Sequence, residues 1–175
     1  AISLNYFRYR HDGYRGQEGV RKDQLNLVTR FRPASNRETK LFFMYYNGAW
    51  GLPGALDSLE MAQNPRQARP FATEQNTRVQ RKWLRLGLSH KIYFNDQFYN
   101  FTAGFLHSNS KLNPYGSTEF YNGFKDEGAN GYGLRTIFGY EHESESLGIH
   151  LMLGGEFQHD LNALAEYDLV NQQKG

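Results

Sequence analysis

Apolar and polar residues alternate with a period of two along much of this chain, the spacing that puts every second side chain on one face of a β-strand. In the clearest run, Ile149, Leu151, Leu153 and Phe157 share one face while His150, Met152, Gly154 and Glu156 share the other. Residues 131–141 repeat the design, with Tyr132, Leu134, Phe138 and Tyr140 set against Gly133, Arg135, Gly139 and Glu141. Residues 98–108 set Tyr99, Phe101, Ala103 and Phe105 against Asn100, Thr102, Gly104 and Ser108. Leu84, Leu86, Leu88 and Ile92 alternate with Arg85, Gly87, Ser89 and Lys91, and Leu25, Leu27 and Phe31 with Gln24, Asn26 and Arg30. Residues 2–10 and 39–47 are strand-like by aromatic content, with both faces mixed. The pattern predicts an all-β chain, an antiparallel meander of seven long strands.

The connections carry a second signal. Long polar segments follow the first strand (residues 11–18), the third (from about Gly48 to Asn76) and the fifth (from about Asn109 to Asn130). Short turns follow the second (Pro33–Arg37), the fourth (Asn95-Asp96) and the sixth (Glu143–Ser146). Successive turns of a meander fall at opposite ends of the sheet, so one end carries elaborate loops and the other only tight turns. Transmembrane β-barrels segregate their loops in this way. Strands of about 10–13 residues also suit a tilted membrane crossing, for which ~9–11 suffice. The apolar faces then meet lipid, the Gly-, Asn- and Arg-containing faces line a wet lumen, and Tyr93, Tyr140 and Phe157 join the interfacial aromatic girdles. A soluble antiparallel sheet with one wet face also alternates. A ligand-binding module built that way is the main alternative. Leu56 to Gln63, led by Asp57, reads as a short helix inside the long third connection.

Composition sharpens the membrane reading. Phe and Tyr number 13 and 12, whereas Ile and Val number four each, an odd recipe for a water-soluble core and an ordinary one for a barrel wall. Mean hydropathy is −0.73. The longest nearly apolar run, Leu41 to Tyr46, falls far short of the ~20 residues a transmembrane helix needs. Cysteine is absent, which removes disulfides, thiolate metal sites and cysteine nucleophiles. A net charge of +2 gives no argument for nucleic acid.

No catalytic or metal constellation stands out, and no cofactor is implied. The six His residues lack metal-ligand spacing, and Glu141-His142-Glu143 reads as solvated charge beginning a turn. Gly128, Gly131 and Gly133 precede a strand and do not open a phosphate-binding helix. Asn100-Phe101-Thr102 matches a glycosylation acceptor but lies mid-strand. An outer-membrane barrel enzyme, the other alternative, would need a Ser/His pair, with His107 or His150 as its base.

The third connection contains Gly51-Leu52-Pro53-Gly54-Ala55-Leu56-Asp57 and then Asn64-Pro65-Arg66-Gln67-Ala68-Arg69-Pro70. With Arg10-His11-Asp12-Gly13-Tyr14-Arg15 before it and Lys82-Trp83-Leu84-Arg85-Leu86-Gly87-Leu88 after it, this segment resembles the TonB-dependent outer-membrane receptors of the ferric-citrate type. The resemblance covers the whole chain as a middle portion of the barrel, so residues 1–175 are expected to be a partial receptor barrel. It implies a Gram-negative outer-membrane location and import of a ferric chelate, siderophore or ferric citrate, with energy from TonB. Such receptors have a 22-stranded barrel, a plug domain and a TonB box. This chain has room for about seven strands, with no plug domain and no TonB box. The expectation is therefore a fragment that cannot transport alone, an open curved sheet with a polar concave face. It would begin at a periplasmic turn and end inside an extracellular loop, Leu161 to Gly175. The expected partners are the chelate, the bilayer and lipopolysaccharide, and TonB through the missing plug. Anionic chelates suit guanidinium, which binds carboxylate in a planar, bidentate fashion. Arg66, Arg69, Arg78 and Arg81 on the long loop and the start of the fourth strand, with Arg15 and Arg21 on the neighbouring hairpin, are the candidate ligand-binding residues. Arginines at an extracellular rim serve equally to hold lipopolysaccharide phosphate.

Overall fold

The structure is a computed structural model and describes residues 1–116, 122–170 and 173–174. Seven strands run in sequence order as a single antiparallel meander: β1 (Ile2–His11), β2 (Val20–Ala34), β3 (Arg37–Gly51), β4 (Arg78–Tyr93), β5 (Phe98–Gly116), β6 (Asn122–Glu143) and β7 (Gly148–Tyr167). β1 and β7 are both free edges, so the sheet is open. A two-stranded ladder, β8 (Leu169–Val170) with β9 (Gln173–Lys174), follows it.

The register assigns every strand residue to a face. One row runs Leu4, Leu27, Phe43, Leu86, Leu106 and Tyr132 across β1 to β6. The next runs Leu41, Leu88, Gly104, Leu134 and Phe157 across β3 to β7. These rows belong to one apolar face. Toward the loop end it gives way to the row Arg8, Asp23, Asn47, Lys82, Ser110 and Gly128. The opposite face carries Lys22, Gln24, Asn26, Arg81, Arg85, Arg135, Glu156 and Asp160, with glycines between them.

β5 corrects the sequence expectation. Its Tyr99, Phe101 and Phe105 pair with Tyr93, Lys91 and Gly87 of β4 and so lie on the polar face. Asn100, Thr102, Gly104 and Ser108 lie on the apolar one. The cause lies in the neighbouring strand. Phe105 stands opposite Gly133 and Tyr99 opposite Gly139, and each ring fills the space where the glycine's Cβ would project. On the apolar face the polar side chains satisfy one another. Thr102 Oγ1 and Thr136 Oγ1 lie 2.8 Å apart, and Asn100 Nδ2 donates to Thr136 Oγ1 at 3.0 Å. Tyr93 likewise belongs to the polar face, opposite Tyr99. Phe157 lies within the apolar rows, away from their borders.

Almost nothing is buried. Among the described residues the only buried apolar side chains are Ala72, Val79 and Phe124, while Leu151 and Leu153 are 62% and 79% exposed. The accessible surface is 12125 Å². A folded globular monomer of this mass exposes about 8,800 Å². A sheet with an apolar face ordinarily buries it under a second layer. Here no such layer exists among the described residues.

All tight turns lie at one end: Ser35-Asn36, residues 94–97 and residues 144–147. Asn95 shapes the second of these by accepting from the backbone N–H of Gln97 and Phe98 at 2.9 and 2.8 Å. The other end carries residues 12–19 and 52–77. The connection after the fifth strand, expected as a long loop from about Asn109 to Asn130, differs. Residues 109–116 and 122–130 are strand, paired from Asn109↔Ala129 to Gly116↔Asn122. Leu161 to Tyr167, expected in a terminal loop, pair with β6 as the end of β7. Polar composition marked both segments as loop. In fact they are ladder that continues beyond the apolar rows, where isolated apolar residues such as Leu112, Phe124, Leu161 and Leu164 stand among polar and small ones without regular alternation.

The long connection contains α1 (Ser58–Gln63) and α2 (Pro70–Glu74). α1 begins where the sequence places it. Asp57 caps it, its carboxylate accepting from Glu60 N–H while Glu60 reaches back to Asp57 N–H, both at 2.8 Å.

Candidate functional site

The loop end gathers the six candidate arginines into three different settings. Arg15, Arg66 and Arg69 hold loops together. Arg15 donates from Nε to Gln67 O at 3.0 Å and from Nη1 to Gly54 O at 2.8 Å, clasping the β1–β2 loop to the β3–β4 loop. Arg69 donates to Ala55 O at 2.6 Å, and its aliphatic stem covers Gly54, whose φ of 77° a side chain would strain. Arg66 rests on the Tyr14 ring, 5.1 Å from its centroid, and its carbonyl accepts from Gly16 N–H at 2.8 Å.

Arg21 and Arg78 lie on the apolar-face side, beyond the Arg8–Lys82 row. With Arg10 they line a cleft of about 320 Å³ that also includes Gln17, Asn76 and Asp12. Arg21 is the direct cross-strand partner of Arg10.

Arg81 is the one candidate on the polar face, and residues that sequence reasoning did not select surround it. Its guanidinium lies 4.2 Å from the Trp83 ring centroid, Arg85 lies 5.5 Å from the same ring, and Tyr46 packs against Trp83 at 5.3 Å. The register adds Lys22 and Lys111 to the Arg81 row, with Gly48 between Lys22 and Arg81 buried beneath the Tyr46 ring. Arg81 Nε and Asn109 Oδ1 are buried without a hydrogen-bond partner. At the turn end of the polar face Arg30 and Lys40 both pair with Glu38, and nearer the loop end charge pairing differs from strand to strand. On β5 to β7 Lys111 pairs with Glu127 at 3.3 Å and Arg135 with Glu156, and His107 Nε2 lies 3.1 Å from the Asp160 carboxylate. On β2 and β4, Lys22, Arg81 and Arg85 rest on aromatic rings, and among the described residues no carboxylate forms an ion pair with them. The result is a polar wall with surplus positive charge below the long loop. Only the register could have found it, because Arg85 and Lys22 alternate as ordinary surface residues in sequence.

No family model matches this chain, and no curated protein matches its sequence. A solved structure does. The sheet is similar to part of FecA. The crystal structure of the ferric citrate transporter FecA in its unliganded form superposes with a TM-score of 0.81 over 98% of this chain, at 14% identity. The chain spans about a quarter of the FecA chain, since the match covers 25% of its length. At that identity the likeness establishes the fold, an open antiparallel sheet like a section of that barrel's wall. Among the described residues no three His, Asp or Glu side chains converge as a metal site, and no serine hydrogen-bonds a histidine. Among the described residues no helix is long and apolar enough to cross a membrane.

Proposed function

We infer that this chain forms part of the wall of an outer-membrane receptor that binds an anionic ferric chelate at its loop end and passes it inward. The observation that carries the inference is the continuous apolar face of a coreless sheet whose backbone follows a section of a transporter barrel. On β6 that face runs from Tyr132 to Tyr140, about 27 Å along the strand at ~3.4 Å per residue. A tilt of ~40° leaves roughly 21 Å of height, near the ~25 Å apolar band of outer-membrane barrels. With lipid against this face, the polar face lines the lumen and the long loops lie outside the cell. Energy from TonB would enter through a plug supplied by sequence outside this chain.

The Arg81, Arg85 and Lys22 wall is the surface we assign to the chelate. Guanidinium groups stacked on Trp83 present their edges to a carboxylate while the ring holds them in place. Arg15 and Arg69 already donate to loop carbonyls, so in this reading they shape the entrance. The test is uptake of radioactive iron from ferric citrate and from a panel of siderophores, in a strain that lacks the protein and is complemented with variants. Wild type restores uptake of at least one anionic chelate, and Arg81→Ala/Arg85→Ala lowers it tenfold or more. Unchanged uptake of every chelate on deletion would refute the receptor reading.

A further inference from the structure

The polar face carries a second basic patch at its turn end. A cleft of about 450 Å³ there is lined by five cations, Arg30, Arg32, Arg37, Lys40 and Lys91, and by a single carboxylate, Glu38. Arg30 pairs with Lys40 across β2 and β3, and Glu38 with Lys91 across β3 and β4, so these four residues project from the polar face. Arg32 reaches the same face, because its Nε donates to Glu38 Oε2 at 3.0 Å. Arg30 Nε donates to that oxygen at 2.7 Å, and Lys40 Nζ lies 3.0 Å from Oε1. Glu38 thus serves three cations with one negative charge. Among the described residues Arg37 and Lys91 form no ion pair; Lys91 Nζ lies 4.5 and 4.2 Å from the Tyr93 and Tyr99 ring centroids.

This patch is separate from the Arg81 wall. From loop end to turn end, the polar rows of β2 to β4 include Lys22–Gly48–Arg81, Asn26–Met44–Arg85, Val28–Phe42–Gly87 and Arg30–Lys40–Ser89, in that order. Met44 and Lys40 are four residues apart on β3, about 14 Å of strand. The uncharged Val28–Phe42–Gly87 row lies between them. That spacing exceeds the ~8 Å screening length of physiological salt. The wall therefore offers an anion two wells instead of one continuous band, and cations lining a low-dielectric wall concentrate anions beside them. A permeation path needs sites strong enough for entry and weak enough for departure, which several sites in series provide.

We propose that this turn-end cleft is a second binding station for the anionic chelate, at the inner mouth of the lumen, occupied after the Arg81 and Arg85 wall. The chelate's carboxylates would engage Arg37 and Lys91 and share Arg32 with Glu38 through charge-assisted hydrogen bonds. The cleft's volume falls within the range of small-molecule sites. Glu38 competes with the ligand for the same cations, which keeps the station weak and lets the chelate leave. The proposal rests on the reading of the polar face as the lumen of a chelate receptor. It adds a site that capture at the loop end does not require.

The experiment uses the full-length protein in detergent, where both mouths of the lumen open to solvent. Ferric citrate retained at saturation is counted by equilibrium dialysis with radioactive iron. Wild type should retain two complexes per protein. Arg32→Gln/Lys91→Gln should keep only the loop-end complex, with turn-end affinity lowered at least about tenfold, the ordinary effect of losing a hydrogen bond to a charged group. Arg81→Ala/Arg85→Ala should keep only the turn-end complex, and Lys91→Arg, which preserves the charge, should keep both. Glu38→Gln removes the competing carboxylate and should tighten the second site about tenfold. An ion-pair cluster with a purely structural role predicts the opposite sign, or no change, for that variant. A single complex that Arg32→Gln/Lys91→Gln leaves in place, or a second one that no turn-end variant alters, overturns the station while the receptor reading stands. No ferric citrate retained by wild type overturns the station and the loop-end site together.

Discussion

At the scale of single residues, the polar face depends on aromatic rings placed over glycines. Gly133 lies beneath Phe105, and a Cβ there would overlap the ring and crowd the Phe157 carbonyl, 3.1 Å away. Substitution of a core-like position by a larger residue typically costs about 1–3 kcal/mol. Gly133→Val should therefore lower stability by about that amount, measured as the urea midpoint of the protein folded in lipid vesicles. Part of the loss should return in Gly133→Val/Phe105→Ala, because the cavity left by the ring accepts the new side chain. An additive double variant would show that the ring and the glycine are energetically independent. This pairing was invisible in the sequence. Hydropathy counts Phe105 as apolar wherever it sits, and only the register reveals the glycine opposite it. Asn100 and Thr102 were misleading in the converse sense, since their polar groups bond within a cluster that faces the apolar side.

At the scale of elements, alternation revealed the strands and missed their full length. β5 and β6 pair to Gly116 and Asn122, and β6 alone has 22 residues. Outside the apolar rows neither face needs to be greasy, so residues such as Ser108, Asn109 and Ser110 carry the ladder without any alternating signal. The short helix was legible because its signal is local, a capping carboxylate and a reciprocal Glu three residues on. The clasp between the two loops was not, because Arg15 reaches Gln67 and Gly54 across tens of residues. Its supporting turn makes a pH prediction. Glu18 Oε2 accepts from the backbone N–H of both Arg15 and Tyr14 at 2.8 Å, and these bonds hold its carboxyl below the ordinary 4.5. A group whose folded value is depressed stabilises above its unfolded value and loses that contribution as pH falls through the folded one. The β1–β2 loop should therefore be fully ordered above pH 4.5 and loosen progressively below it. Hydrogen-exchange protection of the Tyr14 and Arg15 amides, corrected for intrinsic rates, should fall over that window. In Glu18→Gln it should be lower at neutral pH and nearly flat.

At the scale of the whole molecule, the two faces make opposite demands on solvent. Residues such as Leu134, 53% exposed on β6, lie within the apolar rows with no protein layer over them. In water this surface would be a large cost, at about 25 cal/mol for each Å² of apolar area left uncovered. In a bilayer it is the ground state. The same residue therefore discriminates between the environments. In vesicles, an arginine at mid-bilayer on the lipid face of a barrel costs about 2–4 kcal/mol. Leu134 lies two residues inside the Tyr132 border of that face, between midplane and interface, so Leu134→Arg should reduce folding stability by about 1–3 kcal/mol when the protein is unfolded by guanidinium from lipid vesicles. Arg135→Leu, its neighbour on the polar face, removes the ion pair with Glu156, whose side chain is 46% exposed. That change should cost no more than about 1 kcal/mol, as exposed pairs usually do. A soluble module predicts another order, with Leu134→Arg nearly neutral or improving solubility because the charge would enter water. The sign of the Leu134→Arg effect thus separates the membrane wall from the sheet in water, and it does so without reference to any ligand.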